Sequence, residues 1–294
     1  MRKILVLGAA GKTGFAFLQC LAHSDAFYIE SVIRDSKKID RVDAFSDKVT
    51  CFEYANESAL SSAMKDTDIL YLALPRNDDE VKHATVIISL AKQYAVSHII
   101  YISAMYDEQQ TSVFSHSKKI IETMIQSIGC SYAIIRPNFF MSRFTYLPAV
   151  VCGDELQLIS AVTHDSVVTF IDVDDIALFA VKSIAEPSMH NIVATLTGSQ
   201  AYSMSDSVKS LSHYLHKNIV YVREDAAVYA RRLAQSGYTP QRITQQLETF
   251  DLWSQGECEV YSSDYYHYMG QATSSFSSYI KRNLSHLNIW SSQV

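Results

Sequence analysis

Apolar and polar positions along the first half of the chain form two kinds of stretch. Short, nearly continuous apolar runs predict buried strands, and longer stretches with apolar residues three or four positions apart predict amphipathic helices. The predicted strands are 4–7, 27–33, 49–52, 68–74, 98–103 and 131–136, and the predicted helices are 15–23, 36–45, 57–64, 79–94 and 113–128. This alternation predicts an α/β fold with a doubly wound parallel sheet that is covered on both faces.

The second half of the chain follows a different pattern. A strand at 167–172, a helix at 174–184 and a strand at 191–196 are expected to return to the main sheet. Beyond residue 200, the apolar spacing predicts helices at 205–216, 226–236, 240–253 and 274–284. We therefore expect a sheet domain over 1–147, rejoined by 167–196. The remaining segments, 148–166 and 197–294, are expected to form a smaller, mainly helical substrate or lid region.

A glycine-rich turn follows the first predicted strand. Gly8, Gly11 and Gly14 are spaced three apart between that strand and the first predicted helix. In dinucleotide-binding proteins such glycines give a tight turn, close approach of backbone to a pyrophosphate, and close packing of helix on strand. We therefore predict a Rossmann-like NAD(P)-binding domain; the alternative is an ordinary turn rich in small residues. The predicted phosphate loop comprises Gly8, Ala10, Gly11, Lys12, Thr13 and Gly14.

The Gly-Lys-Thr run within this turn does not indicate a nucleotide triphosphate loop. That motif has its first glycine five positions before the second, and here Val6 occupies the position. Ligands of doubly wound sheets bind beyond the carboxyl ends of the strands. We therefore also expect Leu74, Pro75 and Ser103, which end the fourth and fifth predicted strands, to line the cofactor site.

The end of the second predicted strand bears on the choice of cofactor. Arg34 and Asp35 lie about where NAD-binding proteins place an acidic residue. The planar fork of Arg34 suits a 2′-phosphate, and Lys37 or Lys38 would add positive charge. Asp35 would repel that phosphate, but it also precedes a predicted helix, where an aspartate serves as an N-cap. We therefore prefer NADP(H), with NAD(H) as the alternative.

The composition excludes some classes of partner. The chain has 294 residues, is 48% hydrophobic and carries a formal net charge of -6. Because phosphate contacts need clustered lysine and arginine, we expect no direct binding of nucleic acid. No apolar run is long enough for a membrane span, and the early first strand leads us to expect no signal peptide. The five scattered cysteines are typical of a reducing cytosol, so we expect a cytoplasmic protein without a metal site.

Several segments resemble a known family. The glycine loop, Arg34 and Ser103 resemble an atypical short-chain dehydrogenase/reductase. The stretch 116–141, in which Lys118 and Glu122 precede a glycine and a strand that ends in Arg-Pro, narrows the resemblance to the NmrA-like family. Segments 171–177, 197–198 and 275–280 also fit that family. The resemblance implies either an NADPH-dependent reductase of quinones or other conjugated compounds, or an NADP-binding redox sensor that regulates transcription through partner proteins.

The usual catalytic pair of short-chain dehydrogenases is incomplete. These enzymes place tyrosine and lysine four residues apart on one helix face, and the lysine helps the phenol to pass a proton to a carbonyl. Here the spacing joins Phe114 and Lys118, and phenylalanine has no proton to give. Three roles are open for Lys118. It holds the nicotinamide ribose, as the resemblance implies, or it donates a hydrogen bond or a proton near the reacting atom. The third alternative is an ion pair with Glu122 on a solvated face. Tyr106 either supplies the missing phenol or is a surface aromatic residue.

Two functions remain open. The first is hydride transfer from NADPH to a quinone-like or other conjugated small molecule, with Lys118 and Tyr106 as catalytic candidates and Asn138 and Phe139 forming a wall over the nicotinamide. The second is a non-catalytic NADP(H)-sensing regulator that acts through a protein partner. A homodimer is compatible with either. An epimerase of nucleotide sugars is disfavoured because that chemistry usually depends on the missing tyrosine.

Overall fold

The computed structural model describes residues 1–22, 24–106 and 113–287, with the side chains of all these residues except 113–115 and 286. They form two compact units. The first comprises the described parts of Met1–Pro137, Val173–Leu196 and Asp264–Gln271. The second comprises Asn138–Asp172, Thr197–Ser263 and the described residues from Ala272 on.

Strands and helices are numbered along the chain. The strands are β1 (Arg2–Leu7), β2 (Phe27–Ile33), β3 (Lys48–Cys51), β4 (Ile69–Leu72), β5 (His98–Ile102), β6 (Ser131–Pro137), β7 (Ala149–Cys152), β8 (Glu155–Ser160), β9 (Val167–Val168), β10 (Ile192–Leu196), β11 (Tyr202–Ser203) and β12 (Asn218–Arg223). The helices are α1 (Lys12–Leu21), α2 (Ile39–Asp43), α3 (Glu57–Met64), α4 (Glu80–Gln93), α5 (Val113–Ser127), α6 (Val173–Ala185), α7 (Met204–Leu215), α8 (Ala226–Gln235), α9 (Pro240–Ser254), α10 (Asp264–Met269), α11 (Phe276–Arg282) and α12 (Leu284–Leu287). Short 3-10 helices cover Ser36–Lys38, Met141–Tyr146 and Pro187–Met189.

The first unit is built on a seven-stranded sheet in the order β10-β6-β5-β4-β1-β2-β3. All neighbouring strands are parallel, and Leu7 of β1 lies opposite Val32 of β2 and Leu72 of β4. The strand order reverses between β1 and β4, so the sheet is doubly wound as predicted. The fold is therefore a Rossmann-like α/β fold.

Alternate residues of each strand cover opposite faces of this sheet. Leu5 and Leu72 pack in one core cluster with apolar side chains of α3, α4 and α5. On the other face, the Tyr71 ring stacks on Phe17 of α1, with ring centroids 4.3 Å apart, and α1 packs beside α6. Strands buried on both faces explain the continuous apolar runs of the sequence.

The second unit is helical with two small sheets. β8 pairs with β7 antiparallel and with β12 parallel, and β9 pairs with β11 antiparallel. Its core joins aromatic side chains from distant parts of the chain, including Phe144, Phe170, Trp253 and Phe276. Aromatic pairs such as Phe170 and Trp253 meet edge to face with centroids 5.4 Å apart.

The structure differs from the expected organisation in several places. The predicted strand 167–172 is reduced to β9, which pairs within the second unit, while α6 and β10 do return to the main sheet. The first segment of the first unit ends at Pro137, ten residues before the expected bound, because Met141, Phe144 and Leu147 pack in the core of the second unit. The predicted helix 36–45 is a 3-10 helix followed by α2. β7, β8, β11, β12, α10 and α12 were not predicted.

Candidate dinucleotide site

The glycine turn has a geometry that side chains would block. Gly8 has φ +90°, and a Cβ built on it would lie 2.3 Å from the carbonyl oxygen of Ala73. A Cβ on Gly14 would lie 2.3 Å from the carbonyl oxygen of Gly8. Gly8 therefore allows β1 to turn against the end of β4, and Gly14 allows α1 to pack on the turn.

Gly11 brings the turn into the first helix. Its N–H donates to the Gly8 carbonyl oxygen at 2.9 Å, and it occupies the N-cap position of α1 in an extended conformation. No acidic residue lies in the first turn of α1. The positive end of the helix dipole therefore faces the turn without a protein carboxylate from that helix, which suits a phosphate group.

The turn lies at the point where the strand order reverses. Ala73 continues β4 past its last paired residue, and its N–H donates to the carbonyl oxygen of Leu7 at 3.0 Å. The carboxyl ends of β1 and β4 therefore meet beside Gly8. Leu74 and Pro75 follow, both partly exposed. This is the position at which doubly wound sheets bind their ligands.

Tyr54, which the sequence reasoning missed, connects the turn to the end of β2. Its buried hydroxyl is in hydrogen-bond contact with the backbone of Gly8, and burial raises the pKa of Tyr54 to about 12. The guanidinium of Arg34 lies over its ring, 5.6 Å from the centroid. The only available signal was an aromatic residue shortly after the third predicted strand.

The charges that follow β2 are mostly exposed. The Arg34 side chain is 42% exposed and lies 3.9 Å from a carboxylate oxygen of Glu53, a contact too solvated to immobilise it. Lys37 and Lys38 are also exposed. Asp35 is the N-cap of the 3-10 helix, where its carboxylate accepts the N–H of Lys37 at 3.1 Å. One carboxylate oxygen of Asp35 is therefore turned toward the backbone.

Lys118 is buried in an ion pair with a partner that the sequence reasoning did not identify. Its Nζ lies 2.5 Å from Oε1 of Glu80, in the first turn of α4, and 3.3 Å from the hydroxyl of Tyr101 on β5. The pair is almost completely shielded, with side chains 5% and 2% exposed. The alternative of a solvated pair between Lys118 and Glu122 is therefore wrong.

Glu122 instead is the centre of a second polar cluster. It accepts hydrogen bonds from Ser103 Oγ at 2.5 Å, from the Tyr106 hydroxyl at 3.0 Å and from the Arg136 guanidinium at 2.6 Å. Arg136 also donates to the Tyr106 hydroxyl at 2.7 Å, and its guanidinium lies 4.4 Å from the centre of that ring. The Tyr106 hydroxyl is therefore held between a carboxylate and a guanidinium group, and Tyr106 is not an isolated surface aromatic residue.

Tyr101 connects the two clusters. Its hydroxyl is in contact with Lys118 on one side and hydrogen-bonds with Ser103 on the other. Burial, and the charges of Glu80 and Glu122, raise the pKa of Tyr101 well above its ordinary value. The sequence-predicted residues Ser103, Tyr106 and Lys118 thus belong to one polar network at the carboxyl end of β5.

The remaining candidates lie elsewhere. Asn138 and Phe139 belong to the second unit, where the Asn138 amide donates to Thr169 and the Phe139 ring stacks on Trp253. The Phe114 side chain lies outside those described. Among the described residues, no group of three histidine, cysteine or acidic side chains is arranged to hold a metal ion.

The sheet and its glycine turn place this protein in the class of Rossmann-like α/β proteins. The chain belongs to the NmrA-like family, whose sequence model matches residues 1–276. This confirms the family predicted from the segments around Lys118 and Arg136.

Comparison with individual proteins gives relatives of two kinds. Agroclavine dehydrogenase of Claviceps fusiformis is 22% identical over 98% of both chains. An NADPH-dependent quinone oxidoreductase of Escherichia coli, solved in complex with NADPH, has a TM-score of 0.80 at 20% identity and covers 96% of this chain and 99% of its own. NmrA, a negative transcriptional regulator solved with NAD, has a TM-score of 0.78 at 12% identity over 100% of this chain and 98% of its own. The fold is thus shared by an NADPH-dependent quinone oxidoreductase and by a transcriptional regulator.

None of the helices in the described ranges combines the length and the apolar character that a membrane crossing requires.

Proposed function

We propose that this protein is an NADPH-dependent oxidoreductase that reduces a quinone-like or other conjugated small molecule. The observation that carries the proposal is the glycine turn at the strand-order reversal, where Gly8 and Gly14 leave no room for a Cβ. Two of the relatives described above are named as redox enzymes, and one of them was solved with NADPH.

The cofactor would be held by residues at the carboxyl ends of the strands. Backbone groups of the turn would bind the pyrophosphate, and Arg34 with Lys38 would pair with the 2′-phosphate that distinguishes NADP from NAD. We assign to the pyrophosphate site Gly8, Ala10, Gly11, Lys12, Thr13 and Gly14. We assign to the ribose and nicotinamide site Leu74, Pro75, Ser103 and Lys118.

Hydride transfer to a conjugated acceptor requires little acid catalysis from the protein. NADPH supplies a hydride, and a conjugated acceptor spreads the developing negative charge over its ring. The chain then contributes mainly positioning and a few hydrogen-bond donors. Tyr106 and Lys118 suit this role, because Glu122 and Glu80 hold their polar groups in fixed positions.

Turnover with a panel of acceptors tests the proposal. Purified protein is mixed with NADPH and with quinones, azo dyes or other conjugated acceptors, and the loss of NADPH absorbance is followed. We expect acceptor-dependent oxidation that the Gly8→Ala variant lacks. Tight NADPH binding without turnover of any acceptor would contradict an enzymatic function.

A second function, an NADP(H)-sensing regulator, is favoured by Phe114 in the position of the usual tyrosine and by the structural similarity to NmrA. In that case a protein partner would bind differently to the NADP-loaded and NADPH-loaded forms. Pull-downs with each form test this function. Equal recovery of every partner with and without the dinucleotide would argue against it.

A further inference from the structure

Arg143 of the second unit lies in an aromatic environment. It belongs to the 3-10 helix Met141–Tyr146. Its guanidinium carbon lies 4.5 Å from the ring centre of Phe250, 5.3 Å from that of Phe139 and 5.9 Å from that of Trp253. Two rings of α9 and the Phe139 ring, from a separate segment, therefore surround one cation.

The guanidinium has no acidic partner within the described part of the chain. Its Nε is sealed from solvent and makes no hydrogen bond, while the residue as a whole keeps some exposure. The titratable groups near it are Tyr229, Cys258 and Tyr238, and none of them is a carboxylate. Most buried arginines in proteins are paired with an acid, so this one is unusual.

The neighbouring groups do not neutralise the arginine at physiological pH. Burial raises the pKa of Cys258 to about 12 and raises that of Tyr229 as well, so both stay uncharged. Burial lowers the pKa of Arg143, but only to about 10, so the guanidinium keeps its charge. Contacts with aromatic faces offset part of the cost of its desolvation. An incoming anion would offset much more.

We propose that Arg143 is the anion-binding group of an acceptor site, and that the acceptor is a flat conjugated molecule bearing a carboxylate. The partly exposed Phe139 ring offers a stacking surface for the acceptor ring, and the guanidinium fork matches the two oxygens of a carboxylate. The choice of a conjugated acceptor rests on the proposed oxidoreductase function. The anion site itself rests only on the geometry around Arg143.

The test compares benzoate with benzamide, which have the same ring and differ in charge. The sequence has two tryptophans, Trp253 and Trp290, so a Trp290→Phe background leaves Trp253 as the reporter of binding by fluorescence. Calorimetry provides a second readout. We expect benzoate to bind about tenfold to a hundredfold more tightly than benzamide, as is typical when a charged hydrogen bond forms.

Variants then locate the binding group. Arg143→Met should remove the preference for benzoate, and Arg143→Lys should keep part of it, because lysine retains the charge and loses the fork. The matched control is Arg242→Met, since Arg242 stacks on Tyr238 at 4.2 Å but is exposed. This variant should bind benzoate as the parent does.

The outcomes separate this proposal from the previous one. Equal binding of benzoate and benzamide by the parent protein would overturn the anion site, even if the Arg143→Met variant fails to fold. Unchanged benzoate binding by folded Arg143→Met protein would overturn it as well. If no acceptor supports NADPH oxidation but benzoate still binds more tightly than benzamide, the oxidoreductase function is contradicted and the anion site is supported.

Discussion

Lys118 and Glu80 form a buried ion pair that joins α5 to the first turn of α4, with 2.5 Å between Nζ and Oε1. Both side chains are almost inaccessible to solvent. The charge of Lys118 is thus compensated within the sheet domain itself. The pair places the lysine under the carboxyl end of β5, beside Tyr101.

Breaking this pair should be costly. Lys118→Met leaves the Glu80 carboxylate buried without its partner, and we expect the free energy of unfolding to fall by about 3–5 kcal/mol in urea titrations. Lys209 pairs with Asp206 at 3.9 Å with side chains that are 79% and 59% exposed. Lys209→Met should therefore change the free energy of unfolding by less than about 0.5 kcal/mol. Similar losses in the two variants would contradict a structural role for the buried pair.

Gly8→Ala should abolish dinucleotide binding. The new Cβ would meet the Ala73 carbonyl oxygen at 2.3 Å, so the turn must open. Gly129 also has a positive φ, +88°, but nothing lies within 4 Å of its Cβ position. Gly129→Ala should therefore cost about 1–2 kcal/mol of stability through backbone strain and leave NADPH affinity unchanged. Fluorescence titration with NADPH distinguishes the two variants, and normal binding by Gly8→Ala would refute the assigned site.

Arg34→Met should shift the cofactor preference. If Arg34 pairs with the 2′-phosphate, its loss should raise the Kd for NADPH about tenfold and leave the Kd for NADH nearly unchanged, because NADH lacks that phosphate. Arg2→Met is the control, since Arg2 is exposed at the opposite end of the parallel strands. Equal weakening of both cofactors in Arg34→Met would assign the arginine to adenine stacking.

Tyr106→Phe tests how the phenol acts. In the structure the Tyr106 hydroxyl donates to Glu122 and accepts from Arg136, so we expect its loss to lower kcat by only about threefold, through looser positioning. A general acid normally contributes a factor of about 100 to 10,000. A fall of that size, with unchanged NADPH affinity, would show that Tyr106 passes a proton to the acceptor.

His98 should make the stability sensitive to mildly acidic pH. Burial, and then the charges of His190 and Arg2, lower the pKa of His98 to about 4, while an unfolded histidine titrates near pH 6.5. The unfolded chain therefore takes up a proton first, and stability is complete above about pH 6.5 and declines as pH falls toward 4. The loss contributed by His98 should approach about 2–3 kcal/mol at the lower end.

Urea titrations at several pH values check this dependence. His98→Asn retains a polar group that can face Ser131, which lies 2.7 Å from Nδ1 in the parent, and it cannot titrate. The free energy of unfolding of this variant should change less with pH between 6.5 and 4 than that of the parent. His116→Asn alters an exposed histidine and should keep the parent slope. If the free energy of unfolding of His98→Asn changes with pH as steeply as that of the parent, the pH dependence comes from other groups.

Much of the first unit could be predicted from the sequence because its elements are local. Buried strands such as β2 and amphipathic helices such as α3 have the bounds that their apolar patterns predict. The Gly153-Asp154 pair is also a local signal for the hairpin of β7 and β8. By contrast, β12 joins β8 as a parallel strand from about sixty residues away, and no local pattern indicates such a partner.

The sequence by itself determined the family, the doubly wound sheet and the glycine turn, because periodicity and backbone freedom are properties of neighbouring residues. Tertiary structure decided the partners of the charges. Helical spacing brought Lys118 near Glu122, but folding placed Glu80 on the lysine and Arg136 on the glutamate. It also surrounded Arg143 with three rings and, among the residues that the structure describes, with no acid. Such pairings depend on which elements pack together. Burial then strengthens the interaction between the charges that meet, and spacing along one helix does not predict which charges these are.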